Sequence, residues 1–319
     1  MSGYYRRMAA IVSGVVGLLL LASGAAYAFD FDRPLSRGDK GRDVKALHVR
    51  IAGWFPNDHQ RYFDVDKTFG AKTTKALKRF QAHYGLTADG VAGSATYAVL
   101  DRLQDKDGST QHFDWSEFQQ NKSSGCSAKA NAYAGTFGGG MVSPSRTKTY
   151  VKYLMWRLEA VRTKGGDHPV GINSGFRSVA YNNCIGGASA SQHLYGTAAD
   201  NRMAEVSNTK ERRLARHSQV HGIGCYSSLS HNHFDLRLDN DNLASSRAWW
   251  WPDKDGRGHE LADDGRPCWG ESKTKSSGSL QATGALTDPV LVFGALVPSE
   301  AEVQTLEDLG EPPDLLGAD

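Results

Sequence analysis

SQHLYGTAAD, residues 191–200, sets His193 and Asp200 seven positions apart, with Gly196 and three small residues, Thr197, Ala198 and Ala199, between them. Gly196 and Thr197 argue against a continuous helix, so the pair falls on a loop and on the strand that follows it. Ala198 and Ala199 leave that strand slim enough to pass beneath a bound ion. Further on, SHNHFDLR at residues 230–237 alternates strictly: His231, His233, Asp235 and Arg237 on one face of a strand, Phe234 and Leu236 on the other. Two histidines and one aspartate supply three protein ligands to a zinc ion and leave the fourth position to water, the pattern of a catalytic rather than a structural site.

The ends of the chain bound where such a site would work. Arg6 and Arg7 precede an apolar core from Ile11 to Leu21, and Ala26-Tyr27-Ala28 is an A-x-A cleavage signal. Residues 1–28 therefore read as a secretory signal peptide, and the mature chain is expected to be secreted, extracellular or wall-associated. The apolar run is short for a membrane span, so no stable membrane insertion is expected after cleavage. The formal charge of +2 hides two regions of opposite sign. Residues 281–319 hold eight acidic residues and no Lys or Arg, while residues 29–280 hold 35 basic against 27 acidic. A basic body suits a polyanionic surface such as a bacterial wall, and nucleic acid is not expected because no nucleic-acid motif accompanies the charge.

Four cysteines in an exported chain read as two disulfides. Cys126–Cys184 and Cys225–Cys268 is the pairing expected here, tying the ends of the second domain to its interior. No CxxC pair supports a cysteine metal site.

Residues 34–104 read as an all-α domain of three helices. Val44, Leu47 and Ile51 share a helical face, as do Ala76, Leu77 and Phe80, and Thr96, Leu100 and Leu103. Asp66, Gly70 and Thr73 recur as Asp89, Gly93 and Thr96, the same offsets 23 positions later, each copy a tight turn feeding a helix. The pattern FG-x-x-T (69–73), FQ (80–81) and GL-x-x-DG-x-x-G-x-x-T (85–96) resembles the three-helix peptidoglycan-binding domain attached to many wall hydrolases. That resemblance implies peptidoglycan as the partner. His48 departs from it, standing where that family usually has glutamine.

Residues 105–124 are polar and aperiodic and read as a linker, with Phe113, Trp115 and Phe118 suggesting that part of it packs on a domain. Residues 125–270 form the second domain. It combines an amphipathic helix over Val151, Leu154, Met155, Leu158 and Val161, a short strand from Pro169 to Asn173 and a charged helix near Lys210 to His217. With no βαβ rhythm, the expectation is an α+β fold, a small mainly antiparallel sheet with flanking helices. His217 and His221, spaced i and i+4, lack the glutamate of an HExxH site and read as surface residues. Residues 271–319 have a disordered composition.

SGFRS (174–178), GG-x-x-x-SQH-x-x-G-x-A-x-D (186–200) and H-x-H (231–233) together resemble the zinc D-Ala-D-Ala carboxypeptidase family, whose fold is shared with the hedgehog signalling domain and the vancomycin-resistance dipeptidases. The resemblance implies one zinc ion held by His193, Asp200 and His233. It also implies that Arg177 binds substrate or its oxyanion, that Ser191 contributes to substrate binding, and that His231 assists the transition state. Some branches place a carboxylate three residues before the last ligand as general base; Ser230 stands there and cannot serve. His231 and Asp235 are left for that role, Asp235 alternatively orienting an imidazole. The expected activity is removal of terminal D-Ala from peptidoglycan stem peptides by a monomer. Cleavage inside cross-bridges and non-catalytic wall binding are the alternatives.

Overall fold

A computed structural model describes residues 31–55, 63–119, 125–126, 136–224, 230–237 and 249–251. Residues 1–28, expected to be a signal peptide, residues 271–319 and the expected Cys225–Cys268 pairing lie outside these residues. Helices α1 (Arg42–Ile51), α2 (Ala71–His83) and α3 (Ser94–Arg102) form the N-terminal unit. Their periodic residues meet inside it: Val44, Leu47, Ile51, Ala76, Leu77, Phe80 and Leu100 are all buried.

The internal repeat is a repeat of hydrogen bonds as well as of letters. Asp66 accepts the amide of Thr68 and Asp89 that of Val91, both at 2–3 Å range typical of a strong turn (2.8 and 2.9 Å). Gly70 and Gly93 then cap α2 and α3. Each buried threonine is met from the preceding helix, Thr73 by His48 Nε2 (2.8 Å) and Thr96 by Gln81 Nε2 (3.2 Å). His48 therefore does for the first copy what Gln81 does for the second.

Helix α4 (Pro144–Lys164) is the spine of the second unit. It begins several residues before the apolar period does, because Ser143 accepts the Arg146 amide as N-cap and Pro144 occupies the first turn, where its missing N–H costs nothing. After it come β1 (Val170–Ser174), the short α5 (Val179–Cys184), β2 (Ala198–Met203), α6 (Asn208–Arg216), β3 (Gly222–Gly224), β4 (Asn232–Asp235) and β5 (Trp249–Trp251). The sheet order is β1-β2-β4-β3-β5, antiparallel except for β3 and β5. The expected small, mainly antiparallel sheet with flanking helices is what forms. Among the described residues no helix is long and apolar enough to cross a membrane.

Cys126 and Cys184 are joined, which staples the end of α5. Residues 105–119 lie packed: Ser109, Thr110, Phe113 and Phe118 are buried, and the Phe176 amide donates to Phe118 O (2.7 Å). The two units share one apolar core. At their seam Gly53 fits against α4 so closely that a Cβ would lie 2.6 Å from that of Ala160. Lys164 donates to Gly53 O (2.7 Å) and His217 O (2.6 Å), and Gln219 bridges Phe55 O and the Phe63 amide.

Candidate metal centre

The centre lies where the two middle strands of the sheet meet. In the antiparallel β2–β4 ladder, Asp200 is paired directly with His233, so their side chains emerge side by side on one face. His193 arrives from the 3₁₀ turn Gln192–Tyr195, closed by Gly196 in the left-handed region (φ 75°). Thr197 locks that turn, its hydroxyl donating to Gln192 O and Oε1 at 2.9 Å.

One ligand atom from each of His193, Asp200 and His233 lies within 4.8 Å of the others. Asp200 Oδ1 is 3.3 Å from His193 Nε2 and 2.9 Å from His233 Nδ1. The remaining nitrogens face acceptors: His193 Nδ1 donates to Gly175 O (2.6 Å), and His233 Nε2 lies 3.2 Å from Asp235 Oδ2. Two nitrogens and a carboxylate oxygen converge, each imidazole with its far nitrogen engaged, and this set fits zinc.

The electrostatics favour a cation. Burial pushes the His193 imidazole below its ordinary value, towards the neutral form that a metal needs. At Asp200 burial favours the protonated form, but the two imidazoles outweigh it and hold the carboxyl well below the usual range. For His233 burial opposes charge, and Asp200 and Asp235 together still lift it to about 9. Two ionised carboxylates around one imidazole make a pocket built to hold positive charge.

Arg177 stands beside the cluster. Its Nη2 donates to Asp200 Oδ2 (2.6 Å) and its Nε to Ser174 Oγ (2.9 Å), while its backbone amide bonds His193 O (3.0 Å). The SGFRS segment thus touches two of the three ligands. Ser174 and Gly175 went unassigned in the sequence, although both lie in that motif; a hydroxyl and a carbonyl carry no chemical signature there. His231 is half-buried and directly precedes β4. Ser191 caps the 3₁₀ turn that carries His193.

One expectation needs correcting. His217 is exposed as expected, but His221 is buried, its Nδ1 donating to Leu236 O (3.1 Å). Helix α6 ends at Arg216, so the i, i+4 spacing never forms and His221 turns inwards at the start of β3.

Residues 112–235 match the Peptidase M15 family and residues 42–100 the peptidoglycan binding domain family. The chain is 39% identical over 166 residues to a zinc D-Ala-D-Ala carboxypeptidase of Streptomyces albus G, a match covering 52% of this chain and 60% of that protein. It is 38% identical over 66 residues to an N-acetylmuramoyl-L-alanine amidase of Bacillus licheniformis, covering 20% of this chain and 18% of the amidase. The chain therefore spans about three fifths of the first relative's length and about a fifth of the second's. Cluster, sheet and sequence agree: this chain carries a Peptidase M15 domain joined to a peptidoglycan-binding domain.

Proposed function

We propose that the protein is an exported zinc peptidase that removes the terminal D-Ala of peptidoglycan stem peptides, its N-terminal unit engaging the wall. The buried His193, Asp200 and His233 cluster carries this reading. The likeness to the Streptomyces albus enzyme supports it, as does the peptidoglycan-binding domain. Residues 34–104 are the wall-binding domain in this reading, residues 125–270 the peptidase domain, and residues 1–28 the export signal.

His193 Nε2, Asp200 Oδ1 and His233 Nδ1 would hold the ion. When bound, zinc lowers the pKa of its water to about 7 and polarises the scissile carbonyl. Arg177 uses two of its three nitrogens on Ser174 and Asp200, which pre-orients the guanidinium and leaves Nη1 to donate to the substrate's terminal carboxylate or to the oxyanion. A rigid donor of this kind costs no reorganisation at the moment of reaction. Ser191, at the start of the His193 turn, would contribute to substrate binding. His231, two residues before a ligand and directly ahead of β4, takes a proton from the attacking water and returns it to the leaving amine.

Release of D-alanine from a muropentapeptide ending in D-Ala-D-Ala, followed with and without chelator, tests the reading, with a cross-linked dimer assayed alongside. Chelator-sensitive release from the monomer with the dimer intact is the expected result. Cleavage of the dimer alone would make the protein an endopeptidase at the same site. Turnover that survives complete zinc removal would end the zinc reading.

A further inference from the structure

Asp235 is fully enclosed in the interior, and both of its oxygens are engaged. Oδ2 lies 3.2 Å from His233 Nε2. Oδ1 accepts the Arg237 backbone amide (3.1 Å) and lies 3.0 Å from the Arg237 Nε. Two further features serve this carboxylate. Arg237 adopts φ 51°, unusual for a residue with a side chain, and so folds its own amide back onto an oxygen two residues earlier. Across the β3–β4 ladder the residue paired with Asp235 is Gly222, where any Cβ would overlap the carboxylate. Sequence and backbone have together cleared a space for one side chain and clamped it there.

A general base must reach the attacking water, and a carboxylate with no exposure and two occupied oxygens does not. A carboxylate behind a ligating imidazole has another use: it fixes which nitrogen keeps the proton and how the ring is turned. His193 provides the contrast. Its Nδ1 faces the Gly175 carbonyl, which can only accept, so Nε2 is its free donor atom. His233 is turned the other way, with Nδ1 towards Asp200 and Nε2 towards Asp235.

We propose that Asp235, clamped by Arg237 and admitted by Gly222, is a positioning residue that keeps the His233 proton on Nε2 and so presents Nδ1 to the metal. This rests on the zinc-peptidase reading and removes Asp235 from the candidates for proton carrier. Arg237 acts one step further back by holding the carboxylate on the axis of the ring.

The test compares wild type, Asp235→Asn, Asp235→Ala and Gly222→Ala by zinc affinity in chelator competition, by kcat at saturating zinc, and by nitrogen NMR of the histidine rings in zinc-loaded protein. Asp235→Ala is expected to weaken zinc binding by about 10- to 100-fold, with much of kcat recovered once zinc saturates. Asp235→Asn, which keeps an oxygen acceptor, should fall between it and wild type. Gly222→Ala, which displaces the carboxylate without removing it, should weaken zinc binding in the same direction. Wild-type spectra should show His233 protonated on Nε2 and metallated on Nδ1, and they decide the matter even if the Asp235 variants fail to fold. Unchanged zinc affinity with lost kcat would make Asp235 the proton carrier and overturn the proposal, as would metal on Nε2. Wild type that binds zinc but cleaves no wall peptide would overturn the peptidase reading alone; wild type that binds no zinc would overturn both.

Discussion

Replacing His48 with glutamine should make the protein more acid-resistant. His48 is buried in the N-terminal unit, its Nε2 on Thr73 Oγ1 (2.8 Å), its Nδ1 3.5 Å from Asp66 Oδ1 and its ring edge-on to Phe63. Burial is the chief reason that its pKa falls from 6.5 to about 4, with Asp66 only partly opposing the fall. As pH drops, the unfolded chain takes up the proton first. The stability contributed by a neutral His48 is therefore complete above pH 6.5, erodes between 6.5 and about 4, and is gone below that window. The full loss is about 3 kcal/mol, and by pH 4.5 it should already amount to roughly 2–2.5 kcal/mol. Glutamine has no proton to gain, and Gln81 shows that such a side chain can serve this turn, donating to both Asp89 and Thr96. Urea unfolding of wild type and His48→Gln at pH 7 and at pH 4.5 is the assay. The variant should lose about 2 kcal/mol less than wild type between the two values. Other groups titrate in both proteins, His221 among them, and cancel in the comparison. An equal loss in the two proteins would refute the argument that His48 is buried as the neutral imidazole.

Gly53→Ala drives a methyl into the backbone-fixed Ala160 of α4 and should cost about 1–3 kcal/mol through overpacking at the seam, read as a fall in midpoint temperature with the metal site unaltered. Breaking the Cys126–Cys184 bridge, which closes a separation of 58 residues, should cost up to about 4 kcal/mol in the chain-entropy account; Cys126→Ser with Cys184→Ser, unfolded in denaturant beside the oxidised protein, measures it.

Much of the metal centre was legible because its residues lie in compact motifs. His193 and Asp200 share one stretch, and the alternation of SHNHFDLR puts His233 and Asp235 on one strand, though β4 spans only Asn232–Asp235 and leaves His231 and Arg237 just outside it. The β2–β4 register, which puts Asp200 opposite His233, could not be read, since nothing local specifies a pairing across 33 residues. For the same reason nothing local to Gly222 signals its role, which is set by a carboxylate thirteen positions away. Helix α6 misled differently. Its sequence reads as charged on most faces, yet Glu211 and Arg212 are buried because Asn232 bonds both, Nδ2 donating to Glu211 at 2.7 Å and Oδ1 accepting from Arg212 at 3.0 Å. Composition registers charge but not the partner that neutralises it. Ser143 and Pro144 were visible signals for an earlier start to α4, and apolar period alone passed over them.

The seam at Gly53 bears on how such a chain can be rearranged. Where modules hang from a slack tether, recombination can exchange one for another by splicing inside the tether. Here Trp54 stacks beneath the Lys164 ammonium (5.1 Å), Arg157 reaches across to Val49 O (3.2 Å) and Gln219 clasps both Phe55 O and the Phe63 amide. A graft that kept only the C-terminal half would uncover the back of α4 and orphan these donors. A successful chimaera would have to inherit the matching face with the module, so the two halves are expected to have changed together, residue against residue, instead of being traded as independent parts.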